Sequence, residues 1–188
     1  MASRAVAAMW RIGTQSPGDA NAPLIFEPPA ALLSGDLEIW VALSGGANWG
    51  GAQVWISSDG SSYAYAGTIP GPATQGHAER RLTRVIAAAQ PDTTNTLAVD
   101  LTQSHGQLLS VSAADAANFA TLCYVGGELL AFQTATLTTS DHYALTGLYR
   151  GAYGSAIGSH AAGAQFARLD HAIGRFPYPR PWSGRRSI

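Results

Sequence analysis

Short runs of β-branched and aromatic residues recur at roughly ten-residue spacing from Asp36 to Asp170, separated by clusters of Gly, Pro, Asn, Asp and Ser. Such a chain has few options. Strands this short bury apolar surface only by pairing with neighbours, and helix is interrupted before it can propagate. The clearest runs are "DLEIWVALSG", "AQVWISSDGSSYAYAGTI", "NTLAVDL", "GELLAFQTATL" and "YALTGLYRG". No strand–helix–strand rhythm links them, which argues against a parallel α/β sheet, and no self-similarity points to a propeller or solenoid. The expected fold is all-β: an antiparallel β-sandwich or barrel-like module with one short helical turn.

That turn is "SAADAANFA", where Ser112 can cap the first turn and Asp115 lies near the positive end of the helix dipole. It follows a strand expected at "QLLSVS". Asp59-Gly60, between Val54, Ile56 and Tyr63, Tyr65, is the strongest hairpin signal, and Gly126-Gly127 is a second. "SGGANWGGAQ" joins the first two runs as a wide turn in which Trp49 folds back over the sheet. Between them and the later hairpins, a strand is expected around Ala78 to Val85, a turn at "QPDTTN", and a strand over Thr96 to Leu101. The Pro- and Gly-rich lead predicts an arm over residues 1–22, a β-rich domain over 23–178 and an irregular Arg-rich tail over 179–188.

Composition narrows the function classes. Apolar residues make up 46% of the 188 and charged residues 12%, so the chain has the material for a core. The formal net charge is -1, which gives no global field to draw in nucleic acid or an anionic membrane. No run approaches the ~20 apolar residues of a membrane helix. "MASRAVAAMWRIG" lacks the long apolar segment of a secretory signal, so a cytoplasmic product without an export address is expected. All 11 cationic side chains other than histidine are arginine, which the coding bias of a GC-rich genome explains. Cys123, the only cysteine, excludes an intrachain disulfide and reads as a buried strand position.

The densest chemistry lies in "LTGLYRGAYGSAIGSH", Leu145 to His160, with Asp170 shortly after. Ser155, His160 and Asp170 have the residue types of a hydrolytic triad, but "GAYGS" is not a G-x-S-x-G elbow. A phosphate loop would need a lysine. His77, His105, His142, His160 and His171 form no short-spaced pair, so no metal site is expected, nor a cofactor, nor an enzyme. The structural reading covers more residues. Gly151 and Gly154 let the chain bend after the strand, Leu145 and Leu148 point inward, and Arg150 holds loop carbonyls or pairs with Asp170 or Glu128. His160 donates to a loop carbonyl in the same latch. The alternative is glycan binding, with Trp49, Tyr63 and Tyr153 as stacking platforms.

"WGGAQVWISSDGSSYAYAGTI", "NTLAVDL", "GELLAFQTATL", "YALTGLYRGAYGS" and the pattern His160, Gly163, Phe166 to Asp170 resemble, in this order, the C-terminal region of phage tail-tip hub proteins. These are baseplate proteins of long-tailed phages and gene transfer agents, with a TIM-barrel-like domain upstream in their full length. The resemblance spans about Pro23 to Pro177. It implies a non-catalytic β-module of the distal tail of a virion, trimeric, touching other tail and baseplate proteins and supporting host attachment. Family members are far longer, so the chain reads as the tail end of a hub or as a shortened prophage gene. "RPWSGRRSI" departs from the family pattern and is expected to form an irregular arm.

Overall fold

The computed structural model of the chain describes residues 18–33, 35–57, 59–84 and 90–178. Its strands are β1 (Leu24–Phe26), β2 (Glu38–Ala42), β3 (Ala52–Ile56), β4 (Ala64–Ile69), β5 (Gln75–Ala78), β6 (Leu97–Asp100), β7 (Cys123–Val125), β8 (Glu128–Thr139), β9 (His142–Tyr149), β10 (Gln165–Arg168) and β11 (Gly174–Pro177). Among the described residues a single α-helix, the short α1 (Ala113–Ala117), carries the expected cap: Ser112 Oγ accepts from Asp115 N at 3.1 Å.

Six strands close into an antiparallel barrel in the order β10-β5-β6-β9-β8-β7. Closure removes the open edges that short strands otherwise leave. The turns explain why these residues pair. Gly126 and Gly127, at φ 50° and 100°, place Val125 opposite Glu128 in a two-residue hairpin whose positive φ angles suit glycine. Ser140-Asp141 returns β8 into β9, with Asp141 at φ 63°. Leu97, Val99, Leu130, Phe132, Leu145, Leu148 and Phe166 fill the interior with 0% exposure. Each such burial stabilises the fold by about 1.5–3 kcal/mol. Leu145 and Leu148 are three residues apart yet share that interior, against strict alternation; Gly147, at φ 65°, stands where the alternation slips.

Two further layers cover one side of the barrel. The sheet β1-β2-β11 presents Leu24, Trp40 and Ala42 to Leu122, Leu129, Ala167 and Leu169. Through the pleat of β2, Ile39 and Val41 face the other way, toward the β3-β4 hairpin, where they meet Val54, Ile56 and Ile69. Gln53, Trp55 and Tyr65 lie on the outermost, exposed face.

Several sequence expectations shift. The strand placed at Ala78 to Val85 begins earlier, at Gln75, and ends at Ala78; Glu79, Arg80 and Arg81 turn outward, and Leu82 returns as a single bridge to His160. Residues 85–89 and the tail 179–188 lie outside the described residues, as does most of the arm 1–22. "SGGANWGGAQ" connects two sheets, because β2 pairs with β1 and β11 and β3 pairs with β4. Tyr63 belongs to the turn before β4. "QLLSVS" forms no strand: Ser110 Oγ takes Ala135 N and donates to its carbonyl, replacing ladder bonds along β8 while Leu109 is exposed.

Candidate functional site

β9 delivers Arg150 to the end of the barrel, and Gly151, left-handed at φ 68°, turns the chain away immediately after it. Glu128 opens β8 directly after the Gly126-Gly127 turn. The two meet as a bidentate pair: Arg150 Nε donates to Glu128 Oε1 at 2.6 Å and Nη2 to Oε2 at 2.8 Å. Nη2 also donates to the Gly158 carbonyl at 2.8 Å and Nη1 to the Thr83 carbonyl at 3.2 Å. Asp92 Oδ2 stands 3.6 Å from Nη1. Glu128 receives three more donors, the Gly151 and Gly158 amides at 3.1 Å each and His160 Nε2 at 2.8 Å. Gln90 brackets the Arg150 backbone, accepting its amide and donating to its carbonyl, both at 3.0 Å.

All of this is inside the protein. The side chains of Arg150 and Glu128 are 0% exposed, Asp92 2% and His160 7%. A buried charge is tolerated only when paired and hydrogen-bonded, and five donors on one carboxylate meet that condition. Burial pushes the Glu128 carboxyl up, but the bonds from Arg150, His160 and the Gly158 amide, with the Arg150 charge, outweigh it and hold the group below its usual range. Burial likewise opposes the Asp92 charge, and bonds from Asn95 and Thr94 with the Arg150 charge again win, leaving its pKa lowered. Carboxylates held this way are poor proton acceptors. The arrangement joins segments around Thr83, Asp92, Glu128, Arg150 and His160 into one latch.

Of the two acids considered for Arg150, Glu128 is the partner; Asp170 Oδ1 instead accepts from Ala172 N at 2.9 Å. The ring of His160 meets a carboxylate where a loop carbonyl was expected. Gly154 is left-handed at φ 78°. Ser155 Oγ bonds Leu129 N and O at 2.9 and 3.2 Å, so no hydrogen bond links it with His160 or Asp170. The three glycan candidates stand apart. Trp49 is half-buried against Gly45 and the core around Val41, Leu43, Ile69 and Phe176. Tyr63 is 53% exposed beyond the opposite end of β3, and Tyr153, 38% exposed, packs on Phe119 with ring centroids 5.2 Å apart. Among the described residues no group of three His, Cys, Asp or Glu is placed to hold a metal ion, and no helix is long and apolar enough to cross a membrane.

Asp92, Gln90 and Thr83 were invisible to sequence reasoning. Each lies about 60 residues from Arg150, and only barrel closure brings them together.

No curated protein matches the chain. A family model described as Rcc01698-like, C-terminal, matches residues 73–167, about half of the chain. That span begins two residues before β5 and ends within β10, so it coincides with the barrel and contains Glu128, Arg150 and His160. The chain belongs to the Rcc01698-like C-terminal family.

Proposed function

We propose that the chain is a structural module of the distal tail hub of a phage or prophage, acting as one subunit of a homotrimer through contacts with other tail and baseplate proteins. The observation that carries this reading is the latch. A catalytic acid or base must reach a ligand, whereas Arg150, Glu128 and His160 are buried and engaged in bracing turns. The five ordered sequence blocks supply the association with tail hubs, and their last four fall largely within the family-matched barrel. Glycan recognition through Trp49, Tyr63 and Tyr153 has less to stand on, because those rings form no common platform.

The test is localisation. Particles purified from the producing host and labelled with gold-conjugated antibody against the chain should carry gold at the distal tail, and cross-linking should trap the chain at three times its mass. Recovery of the chain only apart from particles would overturn the assignment.

A further inference from the structure

The described residues include six arginines, and the structure accounts for three of them internally. Arg150 is in the latch, Arg168 holds the carbonyls of Leu122 and Leu169, and the Arg175 guanidinium lies 4.2 Å from the centroid of the Trp40 ring. The other three, Arg80, Arg81 and Arg84, fall in one five-residue stretch. All three are exposed, and their side chains have no partner among the described residues.

We propose that Arg80, Arg81 and Arg84 form a docking surface for an acidic segment of a protein partner, presented on a backbone that the latch holds in place. The backbone is pinned from several sides. Leu82 and His160 exchange two backbone hydrogen bonds at 2.9 Å each, the Arg84 amide donates to Ser159 Oγ at 3.0 Å, and the Thr83 carbonyl accepts from Arg150. Leu82 itself is 1% exposed and anchored in the barrel core between exposed neighbours. The nearest acid in sequence, Glu79, is hydrogen-bonded to His142 and does not neutralise the stretch. Three unpaired guanidiniums on a fixed scaffold carry less ordering cost on binding than the same charges on a loose loop.

The chemistry of the stretch favours carboxylates in a row. A phosphate cradle gathers convergent backbone amides, but the amides of Leu82 and Arg84 are already engaged. A polyanion such as nucleic acid is met by strongly basic domains, whereas this chain has net charge -1 and a pI near 6.5. A guanidinium fork matches a carboxylate, and a short acidic segment offers several at similar spacing. This inference goes further than the tail assignment and rests on it only in taking the partner to be a protein.

Binding of a labelled hexaglutamate peptide to the full chain, compared with the R80S/R81S/R84S variant, tests it. The substitutions are at exposed positions and leave the core untouched, which circular dichroism checks. The triple variant should bind about tenfold more weakly at low salt, with the gap closing at about 0.5 M salt. Equal binding by the two proteins would overturn the proposal, and so would tighter binding of a DNA duplex of matched charge. The assay reads the surface alone, so its failure would leave the gold-labelling result standing.

Discussion

Glu128 carries more of the local structure than any other side chain in the latch, since it accepts from Arg150, His160 and two turn amides. Glu128→Ala leaves the buried Arg150 charge with Asp92, 3.6 Å away, as its remaining acid and with its bidentate partner gone, and breaking a buried pair from one side costs about 3–5 kcal/mol. Denaturant unfolding should show that loss. Acid titration separates charge from shape. Because the folded pKa of Glu128 is lowered, its contribution is complete above its ordinary value of 4.5 and is lost as pH falls through the folded value. Stability measured from pH 6 down to pH 3 should therefore fall less steeply in Glu128→Gln than in the native chain. At this scale the sequence revealed half of the arrangement: an arginine leaving a strand into a glycine turn needs acceptors, and Glu128 was one of two acids named for it. Asp92 and Thr83 were hidden, because nothing in a linear sequence marks residues that only a closed barrel brings together. Cys123 was legible for a simpler reason, an apolar strand setting; its thiol is buried, donates to the Leu130 carbonyl at 3.3 Å and is pushed up to about 12.

Where an element is bounded by special turn or capping residues, it could be read directly. Gly126-Gly127 and the Ser112 cap are of this kind, because each meets a backbone requirement that few residues satisfy. β5 is the opposite case. "TQGHAERRL" has no clean alternation, and the strand is set by what flanks it: β10 on one side and β6 on the other. Gly76 shows how tight that fit is. A Cβ there would come within 1.9 Å of the Asp100 carbonyl oxygen, a backbone atom on β6 that cannot move without opening the ladder. Gly76→Ala should cost about 3 kcal/mol, at the upper end of overpacking, and selectively weaken amide protection in β5 and β6. Gly71→Ala, where a Cβ meets nothing within 4 Å, is the control and should leave unfolding unchanged.

The described residues form three layers, and the outer two depend on β11, the last strand among them. β11 pairs with β2 from Gly174 to Pro177, and Phe176 sits between the sheet and the hairpin, against Gly67. Phe176→Ala removes that plug at a cost of about 3–5 kcal/mol. Hydrogen exchange should rise in β3 and β4 and stay unchanged in β8 and β9, whose core lies inside the barrel. This layering was the least legible feature of the sequence, since β2 and β3 look like consecutive strands of one sheet and belong to two. The position of β11 also has a bearing on biosynthesis. As the chain leaves the ribosome, β2 emerges well before β11, so one of its edges has no occupant until the barrel strands between them have been made. The family-matched barrel can assemble in the interval, so β2 is made before the barrel and completed only after it.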